Sequence, residues 1–394
     1  MRETKNQTLN LFYMNIKQEN KRRQKFMFRN LKLVFVALSF IMFSFISGVL
    51  AADVPTLKVG YIFTTHQTPF MVAAKKGEAF KSMGAYLKPV VEKDKYELIV
   101  DGKPIAVFQL IVAKSGTETA ALFARNQLDI AMASVTAMMA AIDKGTPIKI
   151  LSPLQTEGMG LVVAKDSPLT NWELFINHVK KTQKPVKIGY HSPTSAPKIV
   201  FEGSLKQTGI KVTEDPNDQS AQVLLVDLKE TTNLVPALTS KQVDAVVGPS
   251  PFPEVAVSRG VGKMVVELRD LPPKGYWNDF PCCVTAATDT AIVKYPNIVE
   301  NFVKLIAKTN AWCNKNMLEA GTLTADWIGL PPETAKASTL HYLPKFTKNW
   351  MKGTNEYMLI LNRMNKFTGQ LKGKTLNDVM PVMFDMRFID KVKM

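Results

Sequence analysis

The sequence predicts an α/β protein of two lobes that share one cleft, and two repeated phrases carry that expectation. "LKVGYIF" at 57–63 and "VKIGYHSPTSAPK" at 186–198 open alike, with a strand, a polar loop and then a helix. "NQLDIAMAS" at 126–134 and "KQVDAVVGP" at 241–249 repeat a later step, a polar turn that enters a strand of small apolar residues. A βα opening followed by an α-turn-β return is the grammar of a right-handed parallel sheet with helices on its faces. Two copies make two lobes. Ligands of such sheets collect at the carboxyl ends of the strands, so each copy is expected to supply one jaw of a cleft.

The elements follow in order. Lys21, Arg22, Arg23, Lys25, Arg29 and Lys32 form a positive run, Leu33 to Leu50 carries no charge, and small residues follow at Gly48, Ala51 and Ala52. That succession predicts a secretory signal peptide with a cleavage site at Val49-Leu50-Ala51. A membrane anchor is the competing reading, since an uncharged run of this length approaches the ~20 residues needed to span a bilayer. Ser39, Ser44, Ser47 and Gly48 dilute the run, and no basic stop-transfer cluster follows. Residues 1–51 are therefore set aside as an extension plus signal. Their nine Lys/Arg and two Asp/Glu account for the drop in formal charge from +16 to +9. The remaining charge is spread along the chain without a basic stripe or interleaved aromatics, which argues against a nucleic-acid partner.

The first lobe is expected to begin at 52 and to run to 158. It opens with the strand Leu57–Phe63, the loop "TTHQTPF" with Thr65 and His66, and a helix over 70–83. A helix over 117–126 then feeds a strand over 128–133. "IKILSPLQTEGMGLVVAKDSPL" reads as two apolar strands interrupted at Gln155 to Gly160, a first crossing between lobes. The second lobe, 159–275, has its opening strand from Val186, a helix over 233–240 and a strand over 243–248. "RDLPPKGYWNDFPCC", rich in Pro and aromatics, returns the chain to a largely helical part of lobe 1 over 276–394. There Ile298, Phe302, Leu305, Ile306, Thr309 and Cys313 recur at helical spacing.

The site is read from hydroxyls and helix starts. Ser115 and Glu118 stand in capping-box relation, which starts a helix at Ser115 and Gly116 and leaves backbone N–H groups aimed outward. Such a terminus carries roughly half a positive charge and suits an oxyanion. "HSPTSAPK" offers a second start, with Ser192, Thr194 or Ser195 as its cap. Ser134 and Thr136 end the first repeated strand as Ser250 follows the second, and together these make a ring of neutral donors for a small polar or anionic solute. His66 and His191 fall in equivalent loops. Tyr276, Trp277 and Phe280 sit near the return crossing, either as a grip on an organic solute, with Trp277 foremost, or as core.

Catalytic chemistry has little support. His66, His178, His191 and His341 show no metal-ligand spacing, and there is no nucleophile elbow, P-loop or dinucleotide fingerprint. No cofactor and no metal are expected. Cys282, Cys283 and Cys313 predict either one disulfide, Cys313 with one of the adjacent pair, or burial of all three as small core residues.

Three segments in order, "KSGTETAALFARNQLDIAMASVTAMMAAIDKGTPIKIL", "KIGYHSPTSAPKIVFEGSLKQTGI" and "LVPALTSKQVDAVVGPSPFPEVAVSRG", resemble the periplasmic solute-binding proteins of the nitrate/sulfonate/bicarbonate/taurine (NitT/TauT-like) ABC transporters. The resemblance runs from about Leu57 to Cys283. It implies a type II periplasmic-binding-protein fold, two α/β lobes with a central cleft and two crossovers. It implies also a monomeric protein of the periplasm that closes on a small, anionic solute and delivers it to a permease and its ATPase, touching the membrane only through that permease. By the same resemblance Ser115, Gly116, Ser134 and Val135 form the first-lobe site, and Thr194, Ser195, Pro249 and Ser250 the second. Two departures stand out: the His66 loop and the insertion "YLKPVVEKDKYELIVDGKPIA". A related branch, the fungal thiamine-pyrimidine synthases, is the enzymatic alternative, alongside binding of a pyrimidine precursor. It requires a cofactor lysine and a cysteine-rich iron motif, for which Cys282-Cys283 is a poor substitute.

Overall fold

The computed structural model describes Met14, Glu19, Lys21, Arg22 and residues 54–394. The four isolated N-terminal positions are helical and exposed, and the expected signal segment with its cleavage site lies outside the described residues. Among the described residues no helix is long and apolar enough to cross a membrane.

Fourteen strands among the described residues build two sheets. The first begins with β1 (Thr56–Ile62), β2 (Ala85–Val91), β3 (Lys95–Val100), β4 (Lys103–Ala113), β5 (Ile130–Ser134) and β6 (Ile148–Glu157). The second holds β7 (Met159–Ala164), β8 (Val186–Tyr190), β9 (Val212–Thr213), β10 (Val223–Asp227), β11 (Ala245–Pro249) and β12 (Gly262–Glu267). The chain then returns to the first sheet as β13 (Pro281–Thr288) and β14 (Leu340–Tyr342). The spatial orders are β14-β6-β13-β5-β1-β4-β3-β2 and β12-β7-β11-β8-β10-β9.

The repeated phrases occupy matching places. β1 lies parallel between β4 and β5, and β8 lies parallel between β10 and β11. The aspartates of the repeated turns hold those pairs together. Asp129 accepts from the Lys58 N–H at 2.7 Å while its own N–H donates to the Lys58 carbonyl. Asp244 does the same to Lys187 at 2.8 Å. Each carboxylate satisfies an N–H near the start of its strand that the pairing leaves over, a charge-assisted bond of the stronger kind.

To the parallel strands read from the repeats the crossings add antiparallel ones. β13 runs antiparallel to β5 and to β6, and β7 runs antiparallel to β11 and β12. A strand entering from the other lobe arrives without a crossover helix, so it has no reason to run parallel. Gln155, Thr156 and Glu157 belong to β6 rather than to a loop, and only Gly158 separates β6 from β7. The insertion forms the antiparallel edge β2-β3-β4 of the first sheet.

The helices sit close to their expected places, with shorter ends. The predicted helix over 70–83 is an α-helix Thr68–Lys76 followed by a 3₁₀ segment Gly77–Met83. The long helix Pro296–Lys315 buries Ile298, Phe302, Leu305, Ile306, Thr309 and Cys313 along one face. It lies on the first sheet, where Phe302 packs edge-on to Phe108 of β4 at 5.5 Å. All three cysteines are free and buried, so the disulfide reading gives way to burial.

Candidate functional site

The loop after β1 folds as a 3₁₀ turn, Thr65–Gln67, pinned by one side chain. Gln67 accepts from the Ile62 N–H at 3.0 Å and donates to the Met132 carbonyl at 2.9 Å, which ties the loop to β1 and β5. That leaves His66 fully buried, with Nε2 at 2.7 Å from the Gly158 carbonyl. A carbonyl only accepts, so Nε2 carries a proton and Nδ1 faces the other way. Nδ1 meets Cys282 Sγ at 3.2 Å and Cys283 Sγ at 3.8 Å. Burial resists charge on His66, but the Cys282 sulfur and the Gly158 carbonyl outweigh it and raise its pKa above the ordinary value. Burial likewise opposes a Cys282 thiolate, yet the hydrogen bond from Cys283 and the imidazole lower its pKa well below the usual thiol range. Cys283 is pushed well up by Cys282 beside it and by burial.

Three helix starts point into the same space. Helix Gly116–Ala124 is capped by Ser115, whose Oγ accepts from the Glu118 N–H at 3.3 Å. The return arm of the expected box falls one residue early, because Glu118 accepts from the Lys114 N–H. Helix Val135–Asp143 is capped by Ser134, which accepts from the Ala137 N–H at 3.3 Å. A Cβ at Gly116 would lie 2.9 Å from Ala137 Cβ and 3.0 Å from Ser134 Oγ, so only glycine lets these two starts approach so closely. The third helix, Ala196–Gln207, comes from the second lobe. Its cap Ser195 turns Oγ back to the Ser192 carbonyl at 2.8 Å and leaves the first-turn amides without a side-chain cap. Convergent helix N-termini place partial positive charge on one point.

A seam of hydroxyls joins the lobes beside that point. Thr117 Oγ1 meets Ser192 Oγ at 2.6 Å and Thr194 Oγ1 at 2.9 Å, while Thr136 Oγ1 donates to the Thr194 carbonyl at 2.6 Å. Gly158 is a second junction. Its carbonyl accepts from the Ser250 N–H at 2.8 Å as well as from His66, and the Ser250 carbonyl accepts from the Thr65 N–H. The cavity beside them is lined by Ile62, Thr64, His66, Gln67, Gly116, Ser134, His191, Ser195, Ala196, Pro197, Thr231, Pro249, Cys282 and Cys283. About 20 Å³ remains free inside it, room for one water. The seam and the Gly158 junction thus hold the two lobes in contact beside the cavity.

His191 lines the same cavity as His66. Its Nδ1 is buried without a hydrogen-bond partner. Burial, with His66 adding to it, drives its pKa down to about 3, so the ring is neutral.

The structure brings His66, Gly116, Ser134, His191, Ser195 and Pro249 together on the cavity. It does not bring the other expected residues there. Thr65 turns Oγ1 to Ser338, Ser115 is spent on its cap, and Val135 is core. Thr194 belongs to the seam, and Ser250 donates to Glu254 at 2.6 Å. Trp277 is corrected most sharply. It is buried edge-on between Tyr276 and Phe280, centroids 4.9 and 4.8 Å away, and its N–H is directed at the Pro272 carbonyl. Its aromatic neighbours supply a better-packed environment than the cleft, so its core reading prevails. Cys282 and Cys283 are the principal lining residues that sequence reasoning missed. Their signal was position: the pair opens the strand by which the chain re-enters the first lobe.

The sequence model of the NMT1-like family matches residues 50–329. An uncharacterized protein of Methanocaldococcus jannaschii is 34% identical over 116 residues, 29% of this chain and 80% of that protein. Among solved structures, the ligand-binding component of an ABC-type import system from Staphylococcus aureus, with zinc bound, is similar at a TM-score of 0.67 and 15% identity, covering 86% of this chain and 99% of that one. The alkanesulfonate-binding protein SsuA from Xanthomonas axonopodis pv. citri, bound to MOPS, gives 0.61 and 12%, covering 85% and 99%. The periplasmic nitrate-binding protein NrtA from Synechocystis PCC 6803 gives 0.58 and 16%, covering 86% of each. These likenesses share the two-lobed periplasmic-binding-protein fold, in agreement with the fold class read from the sequence.

Proposed function

The chain belongs to the NMT1-like family, and we propose that it is the solute-binding component of an ABC importer that captures a small anion by closure of its lobes. The observation that carries this reading is the meeting of three helix N-termini from two lobes, at Gly116, Ser134 and Ser195, on one cavity. An anion placed there accepts from amides of both lobes, so it stabilises the closed form over the open one, and only such differential contact shifts the equilibrium. The seam of Thr117, Ser192 and Thr194 provides the latch that the guest reinforces. Nitrate, bicarbonate, taurine and short alkanesulfonates are the candidate solutes, a range that the nitrate- and sulfonate-binding structural neighbours support. On this reading the protein performs no chemistry on its solute, works outside the cytoplasmic membrane and docks on a permease with its ATPase.

A thermal-shift panel of these anions tests the reading. A true ligand at 100 times its dissociation constant adds ~2.7 kcal/mol to stability. One anion of the panel is expected to raise the melting temperature accordingly, whereas no shift for any of them, with an uncharged solute active instead, overturns the anion assignment.

A further inference from the structure

The floor of the cleft holds three side chains whose chemistry the anion reading does not use. His66 Nδ1, Cys282 Sγ and Cys283 Sγ lie within 4.8 Å of one another, all on buried residues that line the cavity. We propose that His66, Cys282 and Cys283 form a zinc site whose fourth coordination position opens on the cleft.

The geometry supports that metal. Zinc with Zn–S of ~2.3 Å and Zn–N of ~2.0 Å at tetrahedral angles sets edges of about 3.8 Å between sulfurs and about 3.5 Å between sulfur and nitrogen. The two sulfurs are 3.9 Å apart, and they lie 3.2 and 3.8 Å from Nδ1. The ligand triangle therefore stands near its metal-bound size. The outer contacts are those of a metal-binding histidine as well. Nε2–H donates to the Gly158 carbonyl at 2.7 Å, which orients the ring and turns the Nδ1 lone pair to the sulfurs. The Cys283 backbone is held by its N–H donating to Gln155 Oε1 at 2.7 Å. Two thiolates and a neutral imidazole around Zn²⁺ make a neutral set, so its burial leaves no uncompensated charge. Binding releases the thiol protons to solvent, and the metal enters through the cleft when the lobes part. Thiolates exclude magnesium and calcium, and three protein ligands with one free position is the arrangement zinc adopts where it holds an exchangeable fourth ligand.

The test is independent of the anion reading, since it needs no solute. The purified chain, reduced and cleared of metal, is titrated first with Co²⁺ and then with Zn²⁺. One Co²⁺ per chain with a thiolate-to-cobalt charge-transfer band, displaced by one Zn²⁺, is expected. Cys282→Ser and Cys283→Ser should each weaken zinc binding at least ~100-fold in chelator competition, while Cys313→Ser, buried elsewhere in the helix Pro296–Lys315, leaves it unchanged. The cobalt spectrum of the unsubstituted chain reads thiolate ligation whether or not the variants fold. Absence of the charge-transfer band, undiminished zinc binding by Cys282→Ser, or stoichiometric Cu(I) binding that zinc cannot match would each overturn the assignment.

Discussion

His66 and His191 occupy the same step of the two repeated halves, each just beyond the opening strand of its lobe, yet their surroundings are opposite. His66 has both ring nitrogens engaged, one by Gly158 and one by the cysteine pair, and its pKa is raised. His191 keeps a buried Nδ1 without a partner, and its pKa is lowered to about 3. The repeat fixes where the imidazole stands. What arrives from the crossings decides what it is: Gly158, Cys282 and Cys283 come from the two junctions where the chain changes lobes, and of the two imidazoles they engage only His66. Duplication built the cleft, and the connections made it asymmetric.

The contrast breaks most readily at Gly158. This residue has φ of +67°, and a Cβ there would fall 2.3 Å from a Leu340 methyl and 3.0 Å from His66 Nε2. Gly158→Ala is expected to lower stability by about 2–4 kcal/mol, read as a lower denaturant midpoint. An unchanged midpoint would show that the junction is slack and that His66 is not held by it.

Acid sharpens the comparison from the other side. His191 binds a proton near pH 6.5 when unfolded but only near pH 3 when folded. Between those values the unfolded state holds more protons, so stability rises with pH and falls as the solution is acidified. His66, with its pKa raised, has the opposite linkage: its contribution is complete below about pH 6.5 and is lost as the pH rises from there through the raised folded value. Acidification from pH 6.5 to 4.5 should cost roughly 2–3 kcal/mol through His191, and His191→Asn should remove that slope from the stability profile. A profile identical in the variant would contradict the neutral, desolvated ring.

The smallest effect tests the symmetry that remains. Asp129→Ala and Asp244→Ala remove equivalent clamps on β1 and β8 and should each cost about 1–2 kcal/mol. Unequal losses in urea titrations of the two variants would mean that the lobes do not share their scaffold energetics.

These comparisons also show what the sequence could carry. The matched strand openings and the repeated Asp turn exposed the duplication, because short-range polar and apolar order survives in each copy. The Ser115 cap was legible for the same reason, since a helix start is a local signal. Strand direction at the crossings was not, as an apolar run such as "GLVVA" reads the same in either sense. The trio of His66, Cys282 and Cys283 was hidden by distance. Its members lie 216 positions apart along the chain, and no short motif marks ligands that two crossovers bring together. Trp277 misled because aromatic residues beside a crossing suit a core and a cleft equally, and only its neighbours Tyr276 and Phe280 decide.

The central claim is that helix starts of both lobes grip one anion, and calorimetry on paired variants tests it most directly. Nitrate, bicarbonate, taurine and a short alkanesulfonate are titrated into the unsubstituted chain and into Val135→Pro and Ala196→Pro, which each remove the first amide of one helix start, one from each jaw. The account predicts one anion bound at a single site, with affinity falling tens-fold, about 2 kcal/mol, for each variant. Full affinity retained in both variants would contradict it.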